Sequence, residues 1–233
     1  MVTYRSAFRR TAAVLLLCVT IALMYTPAHS VPSQFSNGYT TGIFYRRLTN
    51  VQLTGNQRTD LVNVAMSQIG YTEANNKDGL AGLTSGSKNY TEYGLWYKNH
   101  VDGSDVYDRA AWCASFVSWC ANQAGISKDI VTYHAYTPSG YNWFKANAHA
   151  YSRKQVANGS YTPLPGDIVY FKSAKSSRIN HVGIVIQYQD GVLYTVEGNT
   201  NSGEETNDGG SVCLKSYKIT NTFIQYICAP NYK

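Results

Sequence analysis

At 233 residues the chain is long enough for one good hydrophobic core, and it shows no internal repeat, so one domain of catalytic size is the simplest count. Its net charge of +6 includes no Lys/Arg block of the kind that marks nucleic-acid binding. Residues 1–30 contain three arginines and no acid, so without them the formal charge falls from +6 to +3, a mild surplus suited to an anionic envelope surface.

The first thirty residues read as a secretory signal peptide. Arg5, Arg9 and Arg10 precede an apolar run from Ala12 to Met24, and Ala28-His29-Ser30 supplies the small-residue cleavage pattern. The run is short for a membrane span of ~20 residues, so the mature chain is expected to carry no transmembrane segment. Cys18 sits behind three leucines, where a lipoprotein site would want a small residue. Residues 31–55, rich in Ser, Thr, Asn, Gly and Tyr, read as an N-terminal arm with one short strand possible at Ile43-Phe44-Tyr45.

The domain proper, 56–233, is expected to open with a helix near Asn56, because Leu61, Val62, Ala65, Met66 and Ile69 share one face and Gly70 ends it. A long loop region follows from Tyr71 to Asp108. Asp102, Asp105 and Asp108 invite a calcium reading, but their spacing lacks an alternating-ligand loop with its turn glycine, and they read as solvated turn and cap residues. No metal site and no cofactor site is readable.

The stretch from Arg109 to Gly125 carries the chemistry. Cys113, Phe116, Val117, Cys120, Ala121 and Ala124 recur at helical spacing, Gly125 ends the helix, and Asp108 is the expected N-cap. Cys113 then lies within about the first turn and a half, where free backbone NH groups and the dipole favour an anion. A helix start and a neighbouring imidazolium are what turn a free thiol of pKa ~8.5 into a nucleophile. Cys120, deeper beside Trp119, reads as a small buried hydrophobe. The two cysteines cannot pair, since seven helical residues separate them by about 10 Å against a ~7 Å limit between α-carbons.

A third helix is expected over 141–151 with Trp143, Phe144 and Ala148 inward, and His134 and His149 near it read as surface or core histidines. The remainder is strand: Pro165 to Phe171, His181 to Tyr188, Val192 to Asn199, Ser211 to Ile219 and Phe223 to Ala229. Helices followed by an antiparallel sheet give an α+β fold, N-terminal helices packed on a C-terminal sheet.

A nucleophilic cysteine needs a base and a group to orient that base. His181 begins a strand, and the next strand ends in Glu197-Gly198-Asn199. A three-residue loop Gln189-Asp190-Gly191 would set Gly183 opposite Glu197 and His181 opposite Asn199, all on one face. A two-residue Asp-Gly turn would move Glu197 to the wrong face, so the catalytic reading demands the longer loop or a bulge. Cys213 and Cys228 lie symmetrically about Thr220-Asn221; a tight turn there would place them within disulfide distance, reduced buried thiols being the alternative.

Four blocks together carry a family resemblance: Trp112 through Gly125, Pro165-Gly166-Asp167-Ile168-Val169, His181-Val182-Gly183-Ile184-Val185, and Val196-Glu197-Gly198-Asn199. They resemble the CHAP family, the cysteine- and histidine-dependent amidohydrolases/peptidases of bacterial cell walls, over the chain from about Asn56 onward. The related NlpC/P60 peptidases share the Pro-Gly-Asp and His-Val-Gly strands but usually carry Asp-Cys-Ser-Gly and a third histidine, unlike Trp112-Cys113-Ala114-Ser115 and Glu197 here. The resemblance implies a papain-like/NlpC-P60-like architecture, with Cys113 as nucleophile, His181 as base, Glu197 as orienting carboxylate and Asn199 as a further polar member of the site. It also implies peptidoglycan as the partner, cut by an endopeptidase or an N-acetylmuramoyl-L-alanine amidase acting as a secreted or wall-associated monomer. A catalytically silent envelope-binding or scaffold protein, and an amidase acting on a small-molecule conjugate, are the competing classes.

Overall fold

The computed structural model describes residues 35–203 and 209–233. The expected signal peptide, 1–30, lies outside them. In order, the chain forms α1 (Asn37–Thr40), α2 (Ile43–Thr49), α3 (Gln57–Ser67), α4 (Glu92–Tyr97), α5 (Cys113–Gln123), α6 (Thr137–Asn147), β1 (His149–Ser152), α7 (Arg153–Ala157), β2 (Ile168–Phe171), β3 (His181–Gln189), β4 (Val192–Thr200), β5 (Ser211–Lys218) and β6 (Ile224–Ala229). The fold is α+β, with a six-stranded antiparallel sheet in the order β1-β6-β2-β3-β4-β5. Among the described residues no helix is long and apolar enough to cross a membrane.

Local chemistry sets the helix starts. Asn56 Oδ1 accepts from Thr59 N at 3.1 Å and Thr91 Oγ1 from Gly94 N at 3.0 Å, each satisfying an NH the helix leaves free. The arm does not form a strand at Ile43–Tyr45; it is helical there, and Tyr39, Phe44 and Leu48 bury their side chains in the main core. The helix expected at 141–151 begins earlier, at Thr137 with Pro138 in its first turn, and stops at Asn147. His149 to Ser152 instead pairs with β6, which supplies the edge strand β1.

The sheet is buried on both faces at its centre, which is why β2 is an unbroken apolar run. Ile168, Tyr170, Val182, Ile184 and Val196 meet Leu61, Val64, Phe116 and Trp119 of the helices. Val169, Phe171, Val185, Leu193, Tyr217, Phe223 and Ile227 form a second cluster. The β5–β6 link is not a hairpin. It runs from beside the β3–β4 turn, where Ile219 N donates to Gly191 O at 2.8 Å, to the end of β2, where Lys172 N donates to Phe223 O at 2.9 Å. Ile219 and Phe223 are buried in the second cluster, so apolar burial, not a tight turn, decides the path. Cys213 and Cys228 therefore stand on strands with three others between them, both as free thiols, and the disulfide does not form.

The Pro165-Gly166-Asp167 block is a structural joint. Gly166 has φ +87 and lies against Arg58, where a side chain would be strained. Buried Asp167 accepts from Arg58 Nη1 at 2.7 Å, Tyr161 OH at 2.5 Å and Leu164 N at 2.9 Å, pinning α3 to the start of β2.

Candidate active site

Cys113 is the first residue of α5. Asp108 is not its cap. Asp108 closes the 3-10 turn Asp105–Asp108 and pairs with Lys77 at 2.8 Å and Lys98 at 3.3 Å, while Asp105 pairs with Lys98. These aspartates are thus ion-pair partners within the loop. Among the described residues no three His, Cys, Asp or Glu side chains are grouped so as to hold a metal ion.

The helix start has no side-chain cap, so its first NH groups are left to whatever lies in front of them. Trp112 precedes the cysteine; its carbonyl accepts from Phe116 N at 2.9 Å and from Ser115 Oγ at 3.2 Å. Gly198 of β4 approaches this corner closely: a Cβ there would lie 2.8 Å from Phe116 Cβ and Trp112 Cζ3. The missing side chain is what lets the end of β4 meet the front of α5.

The β3–β4 register differs from a three-residue loop, yet reaches the same result. Asp190 and Gly191 form a two-residue turn with φ of 52° and 73°, and Gln189 pairs with Val192. A bulge between Val185 and Gln187 then inserts one residue, so Val185 pairs with Thr195 and Ile184 with Val196. The bulge reverses the one-residue slip, and Glu197 returns to the face of His181. Gly183 leaves room for it, since a Cβ there would lie 2.6 Å from Glu197 Cγ.

His181 and Glu197 are both fully buried, with His181 Nε2 and Glu197 Oε2 2.8 Å apart. Two residues that the motifs did not reveal complete the carboxylate: Thr195 Oγ1 donates to Oε1 at 2.5 Å and Tyr217 OH to Oε2 at 3.2 Å. Thr195, two residues before Glu197, was within reach of the period-two rule; Tyr217 required the β4–β5 register. His181 Nδ1 is buried without a well-aligned hydrogen bond, leaving it as the nitrogen available to Cys113. Burial pushes the imidazole down, but the nearby Cys113 and the hydrogen-bonded Glu197 push it up further, to about 9.

Asn199 follows at the end of β4 with φ of 56°, a left-handed conformation that asparagine tolerates. It is fully buried, its carbonyl accepts from Gly209 N at 3.1 Å, and among the described residues neither polar atom of its side chain has a partner. Its amide forms no bond to the other three residues.

Residues 105–199 match the family model of the CHAP domain. Over that stretch the chain is similar to a CHAP domain. It holds Cys113, His181, Glu197 and Asn199 alike, and CHAP domains are amidases and peptidases of peptidoglycan. No curated protein matches the chain.

The remaining histidines of the CHAP segment have separate fates. His149 is exposed on β1. His134 is buried, and burial lowers its pKa to about 4, so it stays neutral. With Nδ1 donating to Thr132 O at 2.9 Å, Nε2 accepts from Tyr170 OH at 3.1 Å, a structural tie between the α5–α6 connection and β2. Tyr93 and Trp96, aromatics of the long loop region, are core residues, whereas Tyr136 is exposed.

Proposed function

We propose that the protein is a secreted cysteine hydrolase that cleaves amide bonds of bacterial peptidoglycan, as an endopeptidase or an N-acetylmuramoyl-L-alanine amidase, with a papain-like arrangement of its site. The observation that carries this reading is the buried His181–Glu197 pair, 2.8 Å apart, in a domain that also sets a buried cysteine, Cys113, at a helix start. Cys113 gives its proton to His181 and its sulfur attacks the amide carbonyl. The backbone NH at the start of α5 faces the developing oxyanion. His181 returns the proton to the leaving amine, then takes one from water to release the acyl group from the thioester. Glu197, held by Thr195 and Tyr217, keeps the imidazole oriented and balances its charge. Asn199, buried at the end of β4, is a further polar member of the site. Export through residues 1–30 would bring the mature monomer to the wall.

The test is digestion of purified peptidoglycan by the protein and by Cys113→Ala, with new amino termini and soluble fragments identified by mass spectrometry. Release by the protein and none by the variant is expected. Equal release from both, or none from either, would overturn the proposal.

A further inference from the structure

Glu73 is a buried carboxylate outside the reaction just described. It lies between α3 and α4 and is 4% exposed. Oε2 accepts from Trp112 Nε1 at 3.1 Å and Oε1 from the Asn89 backbone NH at 3.2 Å. Among the described residues no Lys, Arg or His forms an ion pair with it. A buried carboxylate held only by neutral NH donors is costly to fold.

Its connections converge on the site from two sides. Trp112 immediately precedes Cys113, and its ring stacks on Tyr93 with centroids 5.3 Å apart at 27° and touches the Gly198 position of β4. On the other side, the Glu73 backbone NH donates to Gly210 O at 2.8 Å, and the adjacent Gly209 NH donates to Asn199 O. One residue thus joins the segment entering the nucleophile to the segment leaving Glu197 and Asn199.

Resting on the reading of Cys113 as the nucleophile, we propose that Glu73 is a positioning residue. Its carboxylate fixes the Trp112 indole, and with it the first turn of α5, so that the Cys113 sulfur is set against His181. Two converging NH donors need two acceptor oxygens. Glutamine has one, and its amide NH2 would face a donor.

The test follows alkylation of Cys113 by iodoacetamide across pH, read by peptide mass spectrometry so that Cys120, Cys213 and Cys228 are counted separately. The chains compared are the parent, His181→Ala, Glu73→Gln, Trp112→Phe and Glu73→Gln/Trp112→Phe, each with its melting temperature. The parent should show fast Cys113 alkylation that His181→Ala abolishes; its absence would sink the nucleophile reading itself. Glu73→Gln and Trp112→Phe should each slow alkylation at pH 7 by ~10-fold or more, as small misplacements do. The double variant should be no slower than the worse single one. Parent-like alkylation in either single variant, or losses that multiply in the double, overturns the proposal. If Glu73→Gln does not fold, Trp112→Phe decides, because it removes the indole NH that Glu73 holds while leaving the carboxylate and an aromatic ring in place.

Discussion

His181 is buried beside Phe171 and Phe223, and burial works against a charged ring, yet it holds its proton more tightly than a free imidazole. Its folded value, about 9, lies above the ordinary imidazole value of 6.5, so the native state binds the proton more strongly than the unfolded chain. The stability this supplies is complete below about pH 6.5 and is lost as pH rises through 9. Because Cys113 and Glu197 outweigh desolvation, removing either should bring the titration down. NMR of the His181 ring is expected to give a midpoint near 9 in the parent and clearly lower midpoints in Cys113→Ala and Glu197→Gln. An unchanged midpoint in Cys113→Ala would show that thiol and imidazole do not interact. At this scale Cys113, His181 and Glu197, the residues proposed for the chemistry, were legible from their blocks, since each is a chemically distinctive residue near an element's end. Tyr217 and Glu73 were not, because a hydroxyl or carboxylate in a loop or mid-strand looks solvated until a register fills the space around it.

At the scale of the elements, the β3–β4 hairpin shows where sequence reading succeeds by one route and structure by another. Asp190-Gly191 is a favoured two-residue turn, and alone it would turn Glu197 away. The correcting bulge at Ile186 lies in an apolar run, Ile184-Val185-Ile186, without any Gly, Asn or Pro to mark it. The front of α5 has a related difficulty: Asp108 has the chemistry of a cap, but Lys77 and Lys98 claim its carboxylate, and the helix starts only at Cys113. Glycines are the readable trace of such close packing. Gly183→Ala would place a methyl 2.6 Å from Glu197 Cγ and 3.2 Å from Val196 O. It should cost about 1–3 kcal/mol of stability by overpacking and lower kcat by ~100-fold through misplacement of the carboxylate. Denaturant melts and peptidoglycan turnover measured together check this; parent-like turnover would mean that the Glu197 position is not critical.

Across the whole molecule, the N-terminal segment and the long loop region are integrated rather than peripheral. Glu92 at the start of α4 accepts from Ser36 Oγ at 2.6 Å and from Ser36 N at 3.2 Å, and burial raises its pKa from 4.5 to about 8. The native state binds this proton more tightly than the unfolded chain, so the contribution is greatest below about pH 4.5 and fades as pH rises through 8. Glu92→Gln, which never ionises, should melt higher than the parent at pH 9, by ~2–4 °C for each kcal/mol relieved, and close to it at pH 5. Equal melting curves at both pH values would show that Glu92 does not titrate this way.

The strand order leaves one more mark. Since β5 and β6 belong to opposite sides of β2, β3 and β4, no covalent bond between their cysteines enters the fold. The architecture is therefore indifferent to the redox state of its surroundings. If residues 1–30 export the chain as proposed, the fold can still be produced in a reducing compartment without a folding catalyst for disulfides, and thiol reagents that keep Cys113 reduced take no cross-link away from the described scaffold.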